Sequence, residues 1–207
     1  MNPLAKIQVY IFPGIDQHEG GSSVERIRRC ASLFVSSEGG MNPQIPNISR
    51  KDFEKPCFTK DIGLHFSVSH SGQCWVCAVS KQQLGIDIQK KCGGYQKDIA
   101  KRFFHPDEYL YLEQNEFNGF FDVWTAKESY VKYTGRGIDD DFAAFSVVEK
   151  GRISKCVNGA RLHFLPIDSN YCMCICAEAI DPEEISIIAE DLYTKSNPDA
   201  GASETGL

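Results

Sequence analysis

A chain of 207 residues, 42% hydrophobic and 24% charged, is long enough to bury a substantial core, either as one large domain or as two small ones packed together. Its net charge of −6 repels polyanions, so nucleic acid is not an expected partner, and an anionic ligand must be met by a local cluster of cations. No apolar stretch approaches the length of a bilayer span, and residues 1–6 lack the basic-then-apolar pattern of a secretory leader; the expectation is a cytoplasmic protein with no membrane partner.

Residues 6–12 alternate apolar and polar side chains and predict a strand, and residues 22–35 combine a capping serine with helical spacing and three arginines, Arg26, Arg28 and Arg29. Residues 36–60 hold paired glycines and Pro43, Pro46 and Pro56 without periodicity, which predicts a surface loop. Residues 64–69, 74–80 and 84–89 read as short strands, with a turn at Ser71-Gly72, and suggest an antiparallel meander. Helices are expected over 95–104, from Pro106 onward, and over 118–133, the last stopped by Gly135. Strands follow at 142–157, 161–165, 171–179 and 185–189, with Asn158-Gly159 as a hairpin turn. The fold class is α+β, and the small polar residues 193–207 predict a flexible tail.

Nine cysteines with no oxidising context read as reduced thiols. Cys74 and Cys77 have zinc-like spacing, to which Cys172, Cys174 and Cys176 could add thiolates. The competing reading makes the last three, which alternate on one strand face, small core hydrophobes.

The residues that carry chemistry lie on one strand and one helix. In Trp124-Thr125-Ala126-Lys127-Glu128-Ser129-Tyr130-Val131-Lys132 the 3.6-residue period sets Trp124, Glu128 and Lys132 along one stripe. Two readings are open: Glu128 and Lys132 form an ordinary surface ion pair, or Trp124 buries the face, where charge is expensive and is kept for a task. Asp87 stands at the centre of Gly85-Ile86-Asp87-Ile88-Gln89, on the face opposite Ile86 and Ile88. A lone strand aspartate commonly serves an edge or a cap. An aspartate and a helix glutamate converging on one point make a hard-oxygen site suited to Mg²⁺.

These two segments resemble the paired signature of the 4'-phosphopantetheinyl transferases, in particular the larger, two-half Sfp type. The resemblance extends from about residue 53 to residue 146 and includes Phe53-Glu54-Lys55-Pro56, Ser67-Val68-Ser69-His70-Ser71-Gly72 and Phe103-Phe104-His105-Pro106-Asp107-Glu108-Tyr109. It implies a pseudo-dimer of two similar α+β halves, each an antiparallel sheet packed with helices, with coenzyme A in the cleft between them. The halves would be residues 1–83 and 84–192, the second carrying the metal site, followed by the tail 193–207. It also implies that Asp87 and Glu128 hold Mg²⁺, or Mn²⁺, against the coenzyme A pyrophosphate, that Lys127 and Lys132 lie near the phosphates, and that Lys55, Ser69 and His70 hold the adenosine 3'-phosphate end. Gln89 departs from the pattern: many members carry a glutamate there as third metal ligand, and an amide oxygen can coordinate but brings no charge.

The activity so implied is transfer of the 4'-phosphopantetheine group of coenzyme A to a serine of an apo acyl- or peptidyl-carrier protein, releasing 3',5'-ADP. Asp87, Glu128 and Lys132 would be the catalytic residues, with Glu128 or a water beside it as general base, and the enzyme would act as a monomer. The alternative is a catalytically weak relative that binds coenzyme A or a carrier. Carrier proteins are usually acidic, and Lys97, Lys101 and Arg102, with Phe103 and Tyr109, form a candidate docking patch whose other reading is a solvated helix face. His70 on its own would read as a strand-end histidine, and His105, just before Pro106, as a helix-start residue; Glu108 either approaches the metal or favours a helix N-terminus.

Overall fold

The computed structural model describes residues 5–14, 22–41, 43–49, 55–135 and 140–190; Phe53, Glu54 and the expected tail lie outside these. In chain order the elements are β1 (Ile7–Pro13), α1 (Ser23–Ser37), β2 (Ile48–Ser49), β3 (Cys57–Phe58), β4 (His65–Ser71), β5 (Cys74–Ser80) and β6 (Leu84–Lys90). Then come the helices α2 (Gln96–Phe103), α3 (Pro106–Gln114) and α4 (Phe120–Thr134). The remaining strands are β7 (Val148–Glu149), β8 (Arg152–Ile153), β9 (Cys156–Val157), β10 (Ala160–Phe164), β11 (Tyr171–Ala177) and β12 (Ile185–Ala189).

Local chemistry explains the helix limits. Ser22 closes a capping box at α1: its hydroxyl accepts from the Glu25 N–H at 3.2 Å while the Glu25 carboxylate accepts from the Ser22 N–H at 3.1 Å. At α3 the cap is His105, whose Nδ1 accepts from the Asp107 N–H, with Pro106 in the first turn where a missing N–H is harmless. Helix α4 ends at Gly135 with φ of +75°, a left-handed conformation that a side chain would strain.

Two four-stranded sheets carry the fold, in the orders β12-β1-β5-β4 and β6-β11-β10-β9. All pairs within them are antiparallel except β1 with β12, which are parallel. One face of the first sheet packs on α1 through Tyr10, Phe12, Trp75 and Cys77 against Ile27 and Phe34. Its other face meets the second sheet, where Ile7, Val9 and Val76 pack against Ile86, Ile88 and Ile175. The far face of the second sheet, Cys174 and Cys176 among it, packs on the helical layer of α2 to α4. The layers therefore run helix, sheet, sheet, helices, and each fully buried aliphatic side chain contributes about 2 kcal/mol.

The sequence reading departs from this in three places. The three-strand meander does not form: β4 and β5 make a hairpin, but β6 leaves it and pairs along its whole length with β11. Residues 142–157 are not one strand but a 3₁₀ turn followed by β7, β8 and β9. Lys150 and Gly151 turn the chain at positive φ between β7 and β8, which pair with each other, and the Ser146 and Ser154 hydroxyls accept from the Val148 and Cys156 N–H groups. Within the expected loop 36–60, β2 and β3 pair over two residues each.

Candidate functional site

Strand alternation delivers Asp87 to the site. With Ile86 and Ile88 in the inter-sheet core, Asp87 and Gln89 emerge on the opposite face, beneath α4. Gly85 lets the helix come that close: a Cβ there would lie 2.0 Å from the Ser129 carbonyl oxygen and 2.3 Å from the Tyr133 nitrogen. Trp124, Glu128 and Lys132, the predicted stripe, all face one cleft of about 1080 Å³ together with Asp87 and Gln89. Trp124 is held by Phe104, Phe120 and Phe142, with ring centroids 5.8 to 5.9 Å away.

Asp87 is 1% exposed and Glu128 6% exposed. The surface-pair reading of Glu128 with Lys132 gives way to a pairing between elements: Lys132 Nζ donates to Asp87 Oδ1 at 2.6 Å and to Ser69 Oγ at 2.9 Å. The Ser69 hydroxyl donates to the same carboxylate oxygen at 2.7 Å, and the Gln89 amide donates to Asp87 Oδ2 at 3.1 Å. Burial pushes the Glu128 carboxyl up to about 7; the Asp87 charge adds to the rise and Lys132 opposes it. Two buried carboxylates in electrostatic contact with one another form a site that favours added positive charge.

Among the described residues no three His, Cys, Asp or Glu side chains converge. A divalent ion here would have two carboxylates and the Gln89 amide. That donor set fits Mg²⁺, which binds through one or two carboxylates and retains waters and phosphate oxygens.

The other predicted residues divide. Lys55 and His70 line the same cleft. The Lys55 ammonium donates to the Leu84 carbonyl at 2.5 Å, and burial pushes it down to about 8, with the Lys132 charge a smaller cause in the same direction. Ser69 sits with Asp87 and Lys132, where its hydroxyl is engaged, while Lys55 reaches the Leu84 end of β6 and His70 stands on β4 level with the Gln89 end of β6.

Lys127 is the clear correction. It is 0% exposed and faces the helical core, where Nζ lies 2.9 Å from the Glu108 carboxylate and donates to the Phe145 carbonyl at 2.7 Å, 3.9 Å from the centroid of the Phe145 ring. One residue from Glu128 on a helix is a rotation of about 100°, which carries Lys127 out of the cleft. Glu108 also caps α3 by accepting from the His105 N–H at 2.9 Å, so of its two sequence readings the helix terminus holds.

The arginines of α1 are engaged outside the cleft. Arg26 lies over the Trp75 ring at 5.0 Å, Arg28 donates to the Ile45 carbonyl at 3.0 Å, and Arg29 pairs with Glu190 at 2.6 Å. Cys74 and Cys77 enter different cores on opposite faces of β5, so they cannot share a metal, whereas Cys174 and Cys176 pack as core side chains. Two residues not singled out individually in the sequence are Ser67 and Ser71. Their alternation with Ser69 in Ser67-Val68-Ser69-His70-Ser71 was the available signal: three hydroxyls on one strand face, aimed at β6.

A model of the 4'-phosphopantetheinyl transferase superfamily matches residues 83–187 of the chain. The chain is similar to the 4'-phosphopantetheinyl transferase Sfp of Bacillus subtilis, 33% identical over 168 residues that cover 75% of the chain and 74% of that protein. It is 32% identical to the 4'-phosphopantetheinyl transferase ffp of the same species, with the same coverage of both proteins. It is 33% identical to the 4'-phosphopantetheinyl transferase HetI of a Nostoc species, over 58% of the chain and 53% of that protein.

Proposed function

Because the chain belongs to the 4'-phosphopantetheinyl transferase superfamily, we propose that it transfers the 4'-phosphopantetheine group of coenzyme A to a serine of an apo acyl- or peptidyl-carrier protein, releasing 3',5'-ADP. The observation that carries the residue assignments is the meeting of Asp87, from a strand, with Glu128 and Lys132, from a helix, in one cleft. Asp87 and Glu128, with Gln89, are the residues that would hold Mg²⁺. When bound, the ion screens negative charge on the pyrophosphate.

The chain's own side chains supply the rest. Lys132 has its ammonium at the carboxylate centre and is the cation that steadies charge gathering on the phosphate oxygens in the transition state. The carrier serine oxygen forms a bond to the pantetheine-bearing phosphorus, the bond from that phosphorus to the 3',5'-ADP oxygen breaks, and the serine proton passes to Glu128 or to a water beside it. Lys55 and His70, toward opposite ends of the β4–β6 seam on the same cleft, are the further cation and the imidazole offered to the phosphates of coenzyme A, with His70 at the 3'-phosphate end. Lys97, Lys101 and Arg102 are exposed on α2, one turn of which contributes Ile99 to the cleft wall; with Phe103 and the 79% exposed Tyr95 they offer an acidic carrier a place to dock.

The reading includes two α+β halves meeting near residues 83 and 84 and working as a monomer. Two features support the halves: each sheet has its own helical layer, and the cleft residues come from both sheets. Strand β12 nevertheless pairs with β1, so residues 185–189 complete the first sheet.

The decisive experiment incubates the protein with coenzyme A, Mg²⁺ and several apo-carriers and weighs the carriers. A gain of one phosphopantetheine, abolished by chelation, is expected. No gain on any carrier would leave only a coenzyme A-binding relative.

A further inference from the structure

Strands β4 and β6 lie side by side but share no ladder; each is the edge of its own sheet. The seam between them is made by serine hydroxyls. Ser67 Oγ accepts from the Ile86 N–H at 3.0 Å and Ser71 Oγ accepts from the Lys90 N–H at 2.9 Å, both across the same offset of 19 residues. Equal offsets mean that the two strands run in the same direction in fixed register. Between the two anchors, Ser69 Oγ donates to Asp87 Oδ1 at 2.7 Å. A side chain thus stands where a direct strand contact would be, which spaces the strands more widely than the roughly 4.8 Å of a ladder.

The seam also reaches the second oxygen of Asp87. The Ser71 hydroxyl lies 3.5 Å from Gln89 Oε1, and the Gln89 amide donates to Asp87 Oδ2 at 3.1 Å. Both oxygens of a carboxylate that is 1% exposed are therefore oriented from β4, one directly by Ser69 and one by way of Gln89.

We propose that Ser71 and Ser67 are positioning residues: by anchoring β6 to β4 through its backbone, they hold Asp87 and Gln89 in the orientation in which the pair takes a divalent cation. The inference rests on the cation reading of the site. Ser71 is the residue to test, because it sits at the exposed end of the seam, where water can satisfy the Lys90 N–H once the hydroxyl is gone, whereas Ile86 is fully buried.

The probe is Mn²⁺, followed by electron paramagnetic resonance on the intact protein, beside the exchange rate of the Gln89 side-chain amide protons by NMR. Ser71→Ala should melt within a few degrees of the parent, bind Mn²⁺ about tenfold more weakly, and lose the slow exchange of the Gln89 amide. Ser71→Thr, which restores the hydroxyl, should recover both. A merely structural serine would lower the melting temperature and move neither reading. Ser71→Ala with parental Mn²⁺ affinity and an unchanged Gln89 amide overturns the proposal. If the parent itself takes up no Mn²⁺, the cation reading has failed, and the Gln89 amide alone then decides whether the seam orients the pair.

Discussion

At the scale of single residues, neighbours in sequence do opposite work. Glu128 and Lys132 enter the cleft while Lys127 is sealed in the core with Glu108, both fully buried. Desolvation pushes the Lys127 ammonium down and the Glu108 carboxyl up, and their mutual attraction opposes both shifts. Lys127→Met should cost about 3 to 5 kcal/mol, because Glu108 is left as an uncompensated buried charge, and the double change to apolar residues should cost less than the single one. Chemical denaturation of the single and double variants measures this. By contrast Asp87→Ala and Glu128→Ala should leave folding intact and reduce carrier modification by at least about 100-fold, followed by the mass of the carrier.

Lys55 titrates within the working range. Its ammonium is pushed down to about 8 by burial, so it discharges above that pH, and the attraction for a phosphate proposed for it would go with the charge. The KM for coenzyme A should rise from about pH 8 upward, and Lys55→Arg, which stays charged, should hold it flatter. Stability moves in the other direction. Unfolded, Lys55 keeps its proton up to about 10.5, so between about 8 and that value the unfolded chain binds more protons and this group's contribution to stability rises with pH. Below about 8 the burial cost is present in full. Melting curves of the parent and Lys55→Met across this window should converge in the corresponding direction.

At the scale of elements, the site depends on how closely α4 lies on β6. Gly85 is the contact point, and its missing Cβ allows backbone to meet backbone at the level of Ser129 and Tyr133. Gly85→Ala must push the helix away, and with it Glu128 and Lys132. The expected cost is about 3 kcal/mol of stability and a larger fractional loss of kcat than of coenzyme A affinity, since Lys55 and His70 are carried by other segments. Circular dichroism melting together with a kcat and KM determination distinguishes this from simple unfolding.

At the scale of the whole molecule, a net charge of −6 has to coexist with the anionic coenzyme A and with the acidic carrier proposed as its partner. The arrangement is a local inversion of sign: Lys55 and Lys132 in the cleft, and Lys97, Lys101 and Arg102 on the exposed face of α2. Reversing Lys101 and Arg102 to glutamate should lower kcat/KM for the carrier about tenfold at low salt and less at high salt, with the KM for coenzyme A unchanged. Steady-state kinetics at two ionic strengths test it.

Periodicity was enough to place most elements and the chemical stripe, because it is a local property. Ser22 and Gly135 mark helix ends through their own backbone needs, Asn158-Gly159 turns at positive φ, and Trp124, Glu128 and Lys132 share a face on any α-helix. Pairing is not local. Nothing in residues 84–90 says that β6 abandons β5 for β11, nor in residues 185–189 that β12 lies parallel to β1, since each strand has two edges and both choices bury the same alternating face. The same limit hid the partner of Lys132, which is Asp87 rather than its helical neighbour Glu128, and the burial of Lys127 with Glu108. Side-chain direction follows from the backbone period, but the partner at the end of it is decided by the packing of segments far apart in the chain.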